Sequence, residues 1–139
     1  MNTLQRSPRP IRGANAYANV GVESGVMSAD PHQLIVMLFD GVETVLRNAR
    51  VYMQDGNIVE KGKAISKAID IVNQGLLAAL DQEQGGDVAK NLARIYEYVG
   101  NLLLRANLNN DIELLIEAEQ LLSHIGSAWR EIGARAEAV

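Results

Sequence analysis

Four long segments, each opening on a helix-start signal and joined to the next by only a few residues, constrain this chain more than any other feature. Asp30-Pro31, with Gln33 three positions after the aspartate, supplies an N-cap, a proline at the first helical position and a capping-box partner. A helix is predicted from there to about Gln54, where Asp55-Gly56 ends it. Asn57 with Glu60 makes a second capping box for a helix running to about Gln82, and Gly85-Gly86 breaks that one. Asp87 can cap a third helix ending near Leu108, and Asn110 with Glu113 starts a fourth that reaches about Gly133. Connections this short cannot return the chain to the far end of a helix, so neighbours must run antiparallel. The expectation is an all-α, antiparallel up-down-up-down four-helix bundle.

The flanking sequence adds little to the core. Residues 1–13 hold two of the three prolines and three arginines with almost nothing apolar to bury, and read as a disordered lead. The expected single domain is 14–136. Its first part, Ala14 to Met27, carries Tyr17, Val20, Val22 and Val26 but is interrupted by Gly21 and Gly25, which predicts a short, loosely held helical cap. The apolar share is 47% and the aromatic share only 4%, so the core must be built from Leu, Ile, Val and Ala.

Several function classes drop out on charge and residue type. A net charge of −4 offers no clustered positive field for nucleic acid or an anionic membrane. No run approaches the ~20 apolar residues of a membrane span, and the N-terminal arginines are not followed by a signal-peptide core. The expectation is a cytosolic protein with no membrane insertion. Without cysteine there are no thiolate metal sites and no cysteine nucleophile. Gly62-Lys63 resembles a phosphate loop only faintly, with the wrong glycine spacing and Ala64 where a metal-binding hydroxyl belongs. Neither His32 nor His124 has a glutamate three residues before it, as di-iron bundles require. No cofactor, no metal and no catalytic residue is assigned, and the chain reads as a binding module and not an enzyme.

The apolar surface exceeds what a bundle needs. In the first helix Leu34, Ile35, Leu38, Val42, Val45, Leu46, Ala49 and Met53 make an ordinary core face, opposite Asp40, Glu43, Arg47 and Arg50. In the third, residues from Val88 to Ala106, among them Leu92, Ile95, Tyr96, Tyr98, Leu102 and Leu104, cover roughly 240° of the circumference. Two neighbours and a diagonal partner cannot cover so wide an arc. The second helix carries a shoulder of small residues, Ala64, Ala68, Gly75 and Ala78 with Ile71, which either packs tightly inside or admits a partner helix. The fourth helix is broad as well, through Leu114, Leu121, Trp129 and Ile132. Excess on several helices suggests a partner that wraps.

Asp30-Pro31-His32-Gln33-Leu34-Ile35 followed by Met37-Leu38-Phe39-Asp40-Gly41 resembles the opening helix of the FliS family of flagellin export chaperones. The likeness continues through Lys67-Ala68-Ile69, Leu80-Asp81-Gln82-Glu83, Asn91-Leu92, Ile95-Tyr96-Glu97-Tyr98, Ala106-Asn107 and Ala128-Trp129, covering about Tyr17 to Ile132. Phe39 stands where that family often has tyrosine. The resemblance implies a cytosolic chaperone that binds the disordered C-terminal segment of flagellin, stops it polymerising early and helps deliver it to the flagellar type III export gate. It also matches Tyr17 to a family tyrosine in the N-terminal segment. Such a segment around Tyr17 and Val20 could rest in the empty groove and be displaced by the client, since its glycines make it easy to move. For client contacts the helical arcs point to Ala64, Ile71, Gly75 and Ala78 on the shoulder and to Tyr98, Leu102, Leu114 and Leu121 as outward apolar residues.

Two other readings cover the same features. A phosphorelay (histidine phosphotransfer) bundle would carry its phosphate on His124, whose ordinary reading is a solvated side chain near Gln120. A self-associating bundle, as a weak homodimer, would bury the excess apolar arcs without any client.

Overall fold

The computed structural model describes residues 30–138. The helical cap expected between Ala14 and Met27, with Tyr17 and Val20, lies outside the described residues, as does the 1–13 lead. The described chain contains four helices and no strand: α1 (Pro31–Gln54), α2 (Ile58–Asp70) continued by a π-helical turn (Ile71–Leu77), α3 (Gly86–Asn109) and α4 (Ile112–Ala138). Each helix packs on the next, and α4 closes the ring against α1, the antiparallel four-helix bundle expected from the cap signals.

The start of α1 follows its sequence signal. The Gln33 amide donates to Asp30 Oδ1 at 2.8 Å while the Asp30 amide donates to Gln33 Oε1 at 3.0 Å, so the capping box is complete. Gly56 ends the helix at a φ of +75°, a left-handed position that glycine adopts freely, and the Asn57 amide bonds back to the Tyr52 carbonyl at 2.9 Å. Asn57 then caps α2 by accepting from the Glu60 amide at 3.3 Å. The turn between α3 and α4 is equally tight. Asn110 is left-handed, and the Asp111 amide reaches the Ala106 carbonyl at 3.0 Å.

Three boundaries differ from the sequence reading. Asn110 terminates α3, and it is the Asp111 carboxylate that accepts from the Glu113 amide at 3.0 Å to open α4. Asp87 lies in the first turn of α3, where the N-cap is Gly85 with no side-chain bond. The second helix ends at Leu77, not Gln82. Asp81 instead folds the connection by accepting from the amides of Glu83 and Gln84, at 3.2 and 3.0 Å.

The core is mainly aliphatic, as composition requires, with Tyr96 and Phe39 as its largest members. Phe39, Val42, Leu46, Ile65, Val72, Val99, Leu103, Leu115 and Leu122 are all fully or almost fully buried. Lys61 joins them at 3% exposure, its Nζ donating to the Asn107 carbonyl at 3.0 Å in the last turn of α3. There the ammonium meets a carbonyl left without an intrahelical partner, at the negative end of the helix dipole. The polar side of α1 is also used. Asp40 and Glu43 pair with Arg130 of α4 at 2.7 and 3.2 Å, and Arg50 with Glu119 at 3.3 Å.

Candidate functional site: an apolar pocket at one end of the bundle

The pocket forms because four elements end together without closing over their apolar side chains. The first turns of α1 bring Ile35, the π turn and the residues after it bring Leu76, Ala79 and Leu80, the start of α3 brings Val88, Ala89, Leu92 and Tyr96, and α4 brings Trp129. The cavity is about 400 Å³, and Asp81, Gln84 and Gly85 form its polar edge. Gly85 must be glycine here, because a Cβ would lie 2.6 Å from the Ala89 Cβ and 2.9 Å from the Asp81 carbonyl oxygen. Trp129 also packs, tilted by 44°, against His32, with ring centroids 5.1 Å apart, and Gly133 leaves room for that imidazole. Tyr96 is buried, and burial pushes its phenol well above the ordinary tyrosine value, so it stays neutral.

The pocket is lined chiefly by apolar side chains and is suited to apolar contact. Among the described residues no group of three His, Asp or Glu side chains could hold a metal. His124 is exposed on α4. The partly buried carboxylate of Glu119 lies elsewhere, on the α1–α4 seam beside Arg50. Burial raises its pKa above the usual carboxylate value against the opposing pull of Arg50 and Arg47.

The residues singled out from the arcs are not the ones that line this pocket. Tyr98 is 47% exposed, and its hydroxyl donates to Glu117 at 2.5 Å. Leu114 and Leu121 are half-buried on either side of Glu117, three before and four after it, so these three do gather on the α3–α4 seam. Leu102, expected to face outward, is 1% exposed and belongs to the core. On the shoulder Ala64 is half-buried and Ala78 exposed, but Ile71 and Gly75 are buried, which favours the internal-packing reading for those two. The excess on α3 is present: Val88, Leu104 and Leu108 stand in solvent at 69%, 49% and 74% exposure. The sequence reading places Ile35 on an ordinary core face and Leu92 and Trp129 within broad apolar arcs, without bringing them together. The available signal was the crowding of Leu76-Leu77 and Leu80 just before the Gly85-Gly86 break, at the end where α1 begins and α4 finishes.

A small helical bundle with an open apolar end has the architecture of a binding protein. The family model described as flagellar protein FliS matches residues 13–136. The chain is 53% identical to the flagellar secretion chaperone FliS of Salmonella typhimurium over 89% of this chain and 92% of that protein. It is 47% identical to the protein of that name in Escherichia coli, over 86% and 88%, and 38% identical to that of Vibrio cholerae, over 88% and 90%. This chain belongs to the FliS family of flagellar secretion chaperones, which are not enzymes. Among the described residues no helix is long and apolar enough to cross a membrane.

Proposed function

We propose that this protein works in the cytosol, binding the C-terminal segment of flagellin, keeping it from polymerising and passing it to the flagellar export gate. The observation that carries the proposal is the apolar pocket of about 400 Å³ at the open end of the bundle, with Val88 exposed at its edge. A segment that is disordered alone and amphipathic when packed needs apolar grooves to fold against, and part of the gross contact energy, roughly 2–5 kcal/mol or more, goes into ordering it. The complex is therefore specific yet releasable. Ala78, Tyr98, Leu114 and Leu121 supply further contacts along the path of a client that wraps, together with Ala64 at its half-buried margin. Tyr17 and Val20 come 18 and 15 residues before Ile35, which lines the pocket, and are further candidate contacts.

Calorimetric titration with flagellin, and with flagellin lacking its C-terminal segment, tests this. Tight binding to the intact protein alone, with a large negative heat-capacity change, is the expected result. Equal binding to both forms, or to neither, overturns it.

A further inference from the structure

Among the described residues, Asp81 is the only charged one that lines the apolar pocket. Its place there is fixed by the chain around it. The Glu83 and Gln84 amides both donate to Asp81 Oδ1, at 3.2 and 3.0 Å, and the Gly85 amide closes the turn on the Asp81 carbonyl at 2.8 Å. Two donors thus occupy Oδ1, whereas Oδ2 has no partner among the described residues. No described lysine or arginine forms an ion pair with this carboxylate.

The charge around it has the same sign. From Ile71 to Ala89 the chain carries Asp81, Glu83 and Asp87 and no basic residue. The other walls supply no cation, since Ile35 of α1 and Trp129 of α4 are uncharged. Arg130, next to Trp129 in the chain, is already paired with Asp40 and Glu43. A carboxylate held at the mouth of an apolar cavity suits one kind of side chain, a cation on a long apolar stem. Lysine and arginine lay their methylene groups along apolar surface and keep the charge at its edge. The cavity of about 400 Å³ has room for such a stem beside other apolar side chains.

We propose that Asp81 selects the client by pairing with a lysine or arginine that lies beside the apolar side chains filling the pocket. With one oxygen free, the contact is a single charge-assisted hydrogen bond and not a bidentate pair. Charge pairs at the rim of an interface govern orientation and partner choice more than total affinity. A helix with a glutamate at that place would meet an unpaired carboxylate and be rejected. The inference rests on the reading of the pocket as a client site, and it names the chemistry by which that site recognises its client.

The test is Asp81→Asn, which removes the charge and keeps an oxygen for the two amides, with Glu83→Gln as a control for net charge. In ~0.01 M salt Asp81→Asn should bind flagellin about fivefold more weakly than wild type, and in ~1 M salt, where charges are screened within ~3 Å, the two should bind alike. Glu83→Gln should stay within about twofold of wild type at both salt concentrations. Equal binding by wild type and Asp81→Asn in low salt overturns the selection and leaves the chaperone reading standing. So does a loss that persists at high salt or is matched by Glu83→Gln. If the wild-type protein does not bind flagellin, the chaperone reading falls, and a pair of amphipathic helical peptides decides the inference. The peptides differ only in a lysine or a glutamine beside a pair of leucines. Tighter binding of the lysine peptide to wild type, with the preference lost in Asp81→Asn, supports the selection. No preference, no binding, or a preference that survives Asp81→Asn overturns it.

Discussion

Glycine-to-alanine substitution at Gly41 and at Gly126 should change stability in opposite directions. Both residues lie inside long helices, α1 and α4, where alanine is favoured by about 0.5–1 kcal/mol because the unfolded chain loses less freedom. At Gly41 a Cβ meets nothing within 4 Å, so the whole gain should appear. At Gly126 it would lie 2.8 Å from Glu43 Oε2, 3.1 Å from Phe39 Cδ1 and 3.2 Å from Arg130 Nη1. Phe39 is fully buried and has nowhere to move, while Glu43 can turn aside only by loosening its 3.2 Å contact with Arg130. Overpacking of this kind costs ~1–3 kcal/mol and the exposed part of the ion pair at most ~1 kcal/mol, which outweighs the helix term. The helix term is common to both, so Gly126→Ala should lie ~1–4 kcal/mol below Gly41→Ala. Urea unfolding followed by far-UV circular dichroism reads this as midpoints about 1 M apart, for a slope near 2 kcal/mol per molar. If Gly126→Ala raised the midpoint as much as Gly41→Ala, the close approach of α1 and α4 at this point would be refuted.

Lys61→Ala should cost ~2–4 kcal/mol in the same assay, by stranding the Asn107 carbonyl and emptying the volume of the lysine stem, whereas Lys61→Met, which keeps the stem, should recover about half; equal losses would mean that the stem does not pack. Glu119 should titrate above the ordinary glutamate value in carbon-detected NMR, and a value at or below it would contradict its burial. Because the folded-state value is the higher one, the stability contributed by that group is complete below the unfolded-state value and lost as pH rises through the folded-state value. Val88→Glu at the exposed edge of the pocket should leave unfolding within ~0.5 kcal/mol of wild type while lowering flagellin affinity at least tenfold. Unchanged affinity would remove the pocket from the client surface.

What the sequence revealed was whatever depends on neighbours in the chain. The Asp30–Gln33 box, Gly56 and the turn at Asn109-Asn110 are local chemistry and fall where their residues predict, whereas Gly85-Gly86 opens α3 after the preceding helix has already ended at Leu77. The π turn was hidden because Gly75 to Leu80 is apolar whichever residue is counted as extra, so periodicity cannot distinguish it from an unbroken helix. Lys61 was hidden for the converse reason: a lysine on an apolar face looks like a solvated charge until an unpaired carbonyl from another helix is brought to its amine. Leu102 shows the limit of the arcs. They measure how much apolar surface a helix carries, but which edge of the arc stays outside depends on where α2 and α4 settle against α3. The same uncertainty misplaced Ile71 and Gly75, and it hid the pocket, whose walls come from four separate elements.

Both tight turns, Asp55–Asn57 and Asn110–Asp111, lie at the same end of the bundle, with Lys61 bridging α2 to the last turn of α3 between them. Each joins two helices that can zip together from the turn by local contacts, the kind that form early and quickly. The α1–α2 and α3–α4 hairpins should therefore assemble first and from that end. The far ends, where the 78–85 connection runs, should be last to close and first to fray. Amide protection in every helix should accordingly decline from the turns toward the pocket, so that the least costly opening of this molecule is at the end where its client would enter.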